Sequence, residues 1–260
     1  MVPFWKKDIL KSTGEKVAFI STVVVMALIA GAYIRFCEPF STLSVENDVI
    51  WAKKVADGGY VLHFRHANRE KWHDVTAFDA IELLNNYKPA DVPFKRATCL
   101  SDQGVSEAKL VGDVFKAANV QIGYVASSPS CRAKQTAQYA FGRIDEINNS
   151  ILHRTAQPER QHKAFNEEMR RMILSFKPAP GKNVAISGHV GTLRLDGGII
   201  IDKNETHEGL DDRQETGFVV LEVVNDKIIA RYKFESIKDF AQAALELPVQ
   251  RQVKDTAQTF

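Results

Sequence analysis

The chain has 260 residues, 45% hydrophobic and 25% charged, which suits one sizeable globular core and excludes a fibrous or disordered protein. Of its 34 basic and 32 acidic residues, five and two lie within residues 1–35, which leaves 29 and 30 for the rest. A near-neutral body has no electrostatic footprint for nucleic acid, and no repeat or low-complexity tract is present.

Lys6, Lys7, Lys11 and Lys16 precede residues 17–34, 18 residues without a charge, and Arg35 closes the run. That length is at the short end for a transmembrane helix, and a run apolar all round beside a basic leader argues against a core helix. The lysine asymmetry predicts a body outside the cytoplasm, on the periplasmic side in a bacterium. Ala30-Gly31-Ala32 also fits a signal-peptide cleavage site, so anchor and cleaved signal peptide both stand. The expected divisions are a basic segment 1–16, a signal anchor or signal peptide 17–34, a polar linker 35–47 and one domain over 48–260.

Asp48 opens a helix to about Asp57, with Val49, Ala52, Val55 and Ala56 at helical spacing. Gly58-Gly59 marks a turn, and Tyr60, Val61, Leu62 and Phe64 make a buried strand that stops on Arg65-His66. Such a strand end sets a cation and an imidazole at the sheet edge where ligands bind in open α/β sheets. Residues 69–98 read as an irregular excursion with an amphipathic patch from 78 to 84, and are the candidate for substrate specificity. Ser101 caps a helix to about Asn119, with Gly104 in its first turn set for close packing.

Residues 122–126 form a second buried strand, and Ser127-Ser128-Pro129 turns it into a helix beginning near Ser130. Arg132 lies beside the free N–H groups of that helix start, an arrangement suited to an anion. His153 and His162 read as surface residues. A helix over 158–176 turns Phe165, Met169, Met172, Ile173 and Phe176 inward. Residues 184–186 are a third strand, ending in Ser187-Gly188-His189. After residues 193–201 and a polar loop over 202–213, strands 217–224 and 227–234 flank Asn225-Asp226, a tight hairpin turn. An amphipathic helix and polar tail finish the chain.

Arg65-His66, Leu100-Ser101-Asp102-Gln103-Gly104, the stretch from Ser127 to Ala137 and Ser187-Gly188-His189 resemble, in that order, the signature of the histidine phosphatase (phosphoglycerate mutase-like) superfamily. The resemblance covers roughly residues 55–235, and four motifs in order are far more specific than any one. Ala67 departs from the commoner glycine after Arg-His. The resemblance implies a three-layer α/β/α sandwich whose mostly parallel central sheet is bordered by an antiparallel pair. It also implies a phosphomonoester hydrolase with no cofactor or metal. His66 would be the nucleophile, and Arg65, Arg132 and His189 the phosphate ligands, His189 as a cation or hydrogen-bond donor.

The acid that protonates the leaving oxygen is Glu215, with Asp102 and Glu159 as competitors, and Asn68 is a further candidate substrate donor. Cys99 and Cys131 each adjoin a signature stretch; a disulfide and two buried thiols are both compatible with the sequence. An exported location suits a phosphorylated small molecule or glycolipid, such as a lipopolysaccharide-core heptose phosphate. The alternatives are a membrane-tethered, non-catalytic phosphate-binding domain of the same fold and a phosphohistidine-protein phosphatase.

Overall fold

A computed structural model describes residues 39–71, 77–80, 92–153, 156–157, 159–193, 199–201 and 213–247. The expected span at 17–34 lies outside them, as does Cys37; among the described residues no helix is long and apolar enough to cross a membrane. The compact unit Asp48–Phe260 holds the whole sheet.

Seven strands form that sheet: β1 (Val61–Arg65), β2 (Ile122–Ser127), β3 (Glu146–Ile147), β4 (Asn183–Gly188), β5 (Ile199–Ile201), β6 (Phe218–Val224) and β7 (Lys227–Phe234), in the order β3-β2-β4-β1-β6-β7-β5. The β3, β2, β4 and β1 neighbours are parallel. The β6–β7 hairpin is antiparallel to β1 and within itself, and β5 adds parallel to β7. The expected antiparallel pair is therefore present but inside the sheet, because β6 takes the flank of β1 and β5 occupies the edge. Asn225 and Asp226 both have positive φ, 49° and 58°, which matches the right-handed twist of a two-residue hairpin.

Alternation along the strands feeds two cores. Leu62, Phe64, Ala185, Phe218 and Val220 face one side. There they meet α1 (Pro39–Asp57), α3 (Asp102–Ala117), α4 (Cys131–Phe141) and α6 (Ile237–Leu245). Val61, Val184, Ile186, Val219 and Leu221 face the other side, under Met169, Met172 and Ile173 of α5 (His162–Ser175). Helices on both faces of one sheet give the three-layer arrangement.

Three expectations change. The helix expected from Asp48 already begins at Pro39, so residues 39–47 are helical rather than an irregular linker. The excursion after β1 contains α2 (Val92–Thr98), with Pro93 in its first turn where no N–H bond is lost, and a helical turn at 77–80. The helix expected over 158–176 starts as a 3-10 turn, Glu159–Gln161, before α5.

Candidate active site

Strands β2, β4 and β1 lie side by side and parallel, so their carboxyl ends share one edge of the sheet. Arg65 registers with Gly188, and Ser127 with Ser187. This pairing is what collects Arg65-His66, Ser128 to Arg132 and His189 at one place, although 124 positions separate Arg65 from His189. The His66 and His189 rings stand 5.3 Å apart, edge to face.

His66 is fixed on every side. Its backbone N–H donates to Gly188 at 3.0 Å, and Ala67 N–H donates to Thr136 Oγ1 at 3.0 Å. Its Nδ1 lies 2.8 Å from the Ala67 carbonyl, an acceptor only, so Nδ1 carries the proton and Nε2 the lone pair. Burial, and then the nearby Arg132, hold its pKa well below the ordinary value of 6.5. The ring is thus a neutral imidazole with its nucleophilic nitrogen oriented by the chain itself.

Arg132 is buried and donates from Nη1 and Nη2 to Asp79 Oδ1 and Oδ2 at 2.5 and 2.6 Å. Nη2 also reaches Nδ1 of His189 at 3.3 Å, which makes that nitrogen an acceptor. Nε2 of His189 therefore bears the proton and directs it towards Ser128 Oγ at 2.9 Å and Ser130 Oγ at 3.2 Å. Burial, followed by Arg132 and three neighbouring histidines, pushes the His189 pKa well down. His189 is accordingly a neutral ring held by protein partners, not the cation that one sequence reading allowed.

Arg65 donates from Nη1 to the Arg213 carbonyl at 2.6 Å and from Nη2 to Glu215 Oε1 at 3.0 Å. The Nε–H groups of Arg65 and Arg132 are buried with no hydrogen-bond partner among the described residues. Two orphaned guanidinium donors at one sheet edge are unfavourable unless a ligand or water meets them.

Of the acid candidates, Glu215 is tied to Arg65, whereas Asp102 and Glu159 are exposed at helix starts. Asn68 turns its carbonyl oxygen to Ser101 Oγ at 2.8 Å, so that end of its amide serves the start of α3. Cys99 and Cys131 form a disulfide that fastens the segment after α2 to the first residue of α4, next to Arg132.

Several site residues escaped sequence reading. Asp79 is fully buried on Arg132; a lone carboxylate between Phe78 and Ala80-Ile81 was the available signal. His153, expected at the surface, stacks edge to face on His189 at 5.6 Å, and its pKa is lowered by burial and by Arg132. His162 instead sits against the Gln157 carbonyl. Arg213, expected in a polar loop, is buried, with Nη2 at 2.6 Å from Nδ1 of His63. His63 lies inside β1, and its Nε2 meets Thr192 Oγ1 at 3.1 Å.

No family model matches the chain, and no curated protein matches it. Among solved structures, the chain resembles the protein histidine phosphatase SixA complexed with tungstate, at 12% identity and a TM-score of 0.41, covering 67% of this chain and 96% of that one. It also resembles phosphoserine phosphatase from Entamoeba histolytica (13%, 0.38, 67% and 95%) and YhfR of Bacillus stearothermophilus (14%, 0.43, 70% and 98%).

Proposed function

We propose that this chain is a phosphomonoester hydrolase of the histidine phosphatase type that works through a phosphohistidine on His66. The observation that carries the reading is the state of His66: neutral, with Nδ1–H committed to the Ala67 carbonyl and Nε2 left as the nucleophile beside Arg65 and Arg132. A nitrogen nucleophile divides hydrolysis into formation and breakdown of a covalent intermediate. Phosphoryl transfer asks mainly for positioning and charge stabilisation, and the two guanidinium groups supply both. The hydroxyls of Ser128 and Ser130, which accept from the neutral His189 ring, add hydrogen-bond donors at the end of β2.

The substrate is a phosphorylated small molecule or glycolipid on the outer side of the membrane, with an envelope phosphosugar such as a lipopolysaccharide-core heptose phosphate as the specific proposal. The Cys99–Cys131 disulfide supports an oxidising compartment, and the basic leader with its apolar run supports export and membrane association through residues 17–34.

The test is hydrolysis of 4-nitrophenyl phosphate by the full chain beside His66→Ala. Turnover is expected from the wild type, with a loss on the order of a thousandfold or more in the variant. Quenching labelled enzyme into alkaline detergent should trap an alkali-stable phosphoenzyme that loses its label in acid. Turnover that survives His66→Ala would remove the nucleophile assignment.

A further inference from the structure

We propose that Asp79 is the proton donor to the leaving oxygen, loaded when the substrate's phosphate displaces it from Arg132; the proposal rests on the hydrolase reading above. Asp79 is buried, 1% exposed, and its two oxygens take both terminal nitrogens of Arg132. Glu215 takes a single bond from Nη2 of Arg65 at 3.0 Å. Arg65 and Arg132 therefore each hold a carboxylate partner.

That balance cannot survive substrate binding unchanged. A phosphate that takes the Arg132 guanidinium faces Asp79 across it. Two anions facing one cation repel, and the repulsion is relieved when one of them carries a proton. A phosphomonoester monoanion brings that proton with it. Its transfer to Asp79 leaves the phosphate as the dianion on the arginines and the buried carboxyl group as a neutral acid. Of the carboxylates weighed for this role, Asp79 alone is both buried and in contact with Arg132; Glu215 is partly buried on Arg65, and Asp102 and Glu159 face solvent.

The chemistry then closes. Nε2 of His66 forms a bond to phosphorus while the bond from phosphorus to the leaving oxygen breaks, and the Asp79 proton passes to that oxygen to release the alcohol. In the second step water attacks phosphorus, and the phosphorus–nitrogen bond breaks with its electron pair returning to Nε2. The Asp79 carboxylate takes the water's proton, so the acid is ready for another turnover.

A leaving-group comparison separates this role from mere anchoring of Arg132. Nitrophenolate departs as a stable anion, whereas phenolate needs the proton more. The rates on 4-nitrophenyl phosphate and phenyl phosphate are measured in one preparation each of wild type, Asp79→Asn and Asp79→Glu. Their ratio is independent of the fraction of enzyme that is folded. We expect the nitrophenyl-to-phenyl ratio to rise at least about tenfold in Asp79→Asn, within the range of general acid catalysis, and to return towards wild type in Asp79→Glu. Equal loss on both substrates, or total loss on both, would overturn the assignment and leave Asp79 as a positioning residue for Arg132. Absence of any wild-type turnover would bring down the hydrolase reading itself, a different failure from an unchanged ratio.

Discussion

Gly104 has no side chain because the chain after His66 runs against it. A Cβ built there would lie 1.9 Å from the Asn68 carbonyl oxygen. That same carbonyl accepts from the Ser101 N–H at 3.2 Å, so the loop after His66 and the start of α3 are one assembly. Helix propensity alone would favour alanine by about 1 kcal/mol. The clash is with backbone and has nowhere to go, so Gly104→Ala should instead destabilise by about 1–3 kcal/mol. A urea titration reads the sign directly; a stabilised variant would show that the two segments do not meet as described. The sequence marked this glycine for close packing, yet its partner, Asn68, was visible only once the chain had folded back.

At the scale of elements, α4 is the piece through which the site is built. Its first residue is held by the disulfide and its second is Arg132, one turn before Thr136. Thr136 Oγ1 donates to the Arg132 carbonyl at 2.8 Å and accepts from Ala67 N–H, so one hydroxyl links the helix to the end of β1. Cys99 and Cys131 are 32 residues apart, and a loop of that length predicts about 3–4 kcal/mol of stabilisation from restricting the unfolded chain. The Cys99→Ser/Cys131→Ser double variant should lose about that much in a denaturant titration. It should also lose activity beyond its stability loss, because Arg132 shares the freed helix end. Full retention of kcat at saturating substrate, in conditions where the variant is folded, would show that the bridge is structural alone. The motif stretches were readable because each marks the end of a strand or the start of a helix. Their mutual distance was not, since the 31 residues between Cys99 and Cys131 leave it undetermined.

Across the whole molecule, the concentration of buried histidines is the unusual feature. His63, His66 and His189 are all held neutral, by burial first and by neighbouring arginines next. Their folded pKa values lie below the unfolded value of about 6.5, so above that pH they contribute nothing to the pH dependence. As pH falls below it, the unfolded chain takes up protons that the fold refuses, and stability declines. Each contributes a slope approaching 1.4 kcal/mol per pH unit, and the three together about 3 kcal/mol between pH 6.5 and 5.5. Urea midpoints measured at pH 8.5, 7.5 and 5.5 should therefore be similar for the first two and clearly lower at the third. A flat response would mean that these rings charge inside the fold.

Most of the long elements and their order were set by local sequence: apolar runs long enough only for buried strands, Ser101 at a helix start, Asn225-Asp226 at a hairpin, and Arg-His or Ser-Gly-His at strand ends. These are local, because propensity, periodicity and turn chemistry act over a few residues. Tertiary structure decided the neighbours. It placed β6 against β1, turned Asp79 onto Arg132, brought His153 to His189 and set Arg213 against His63, joining groups that local pattern assigns to loops or surface. A side chain's charge state follows from who surrounds it. That environment is assembled by strand pairing across more than a hundred residues, beyond the reach of any local signal.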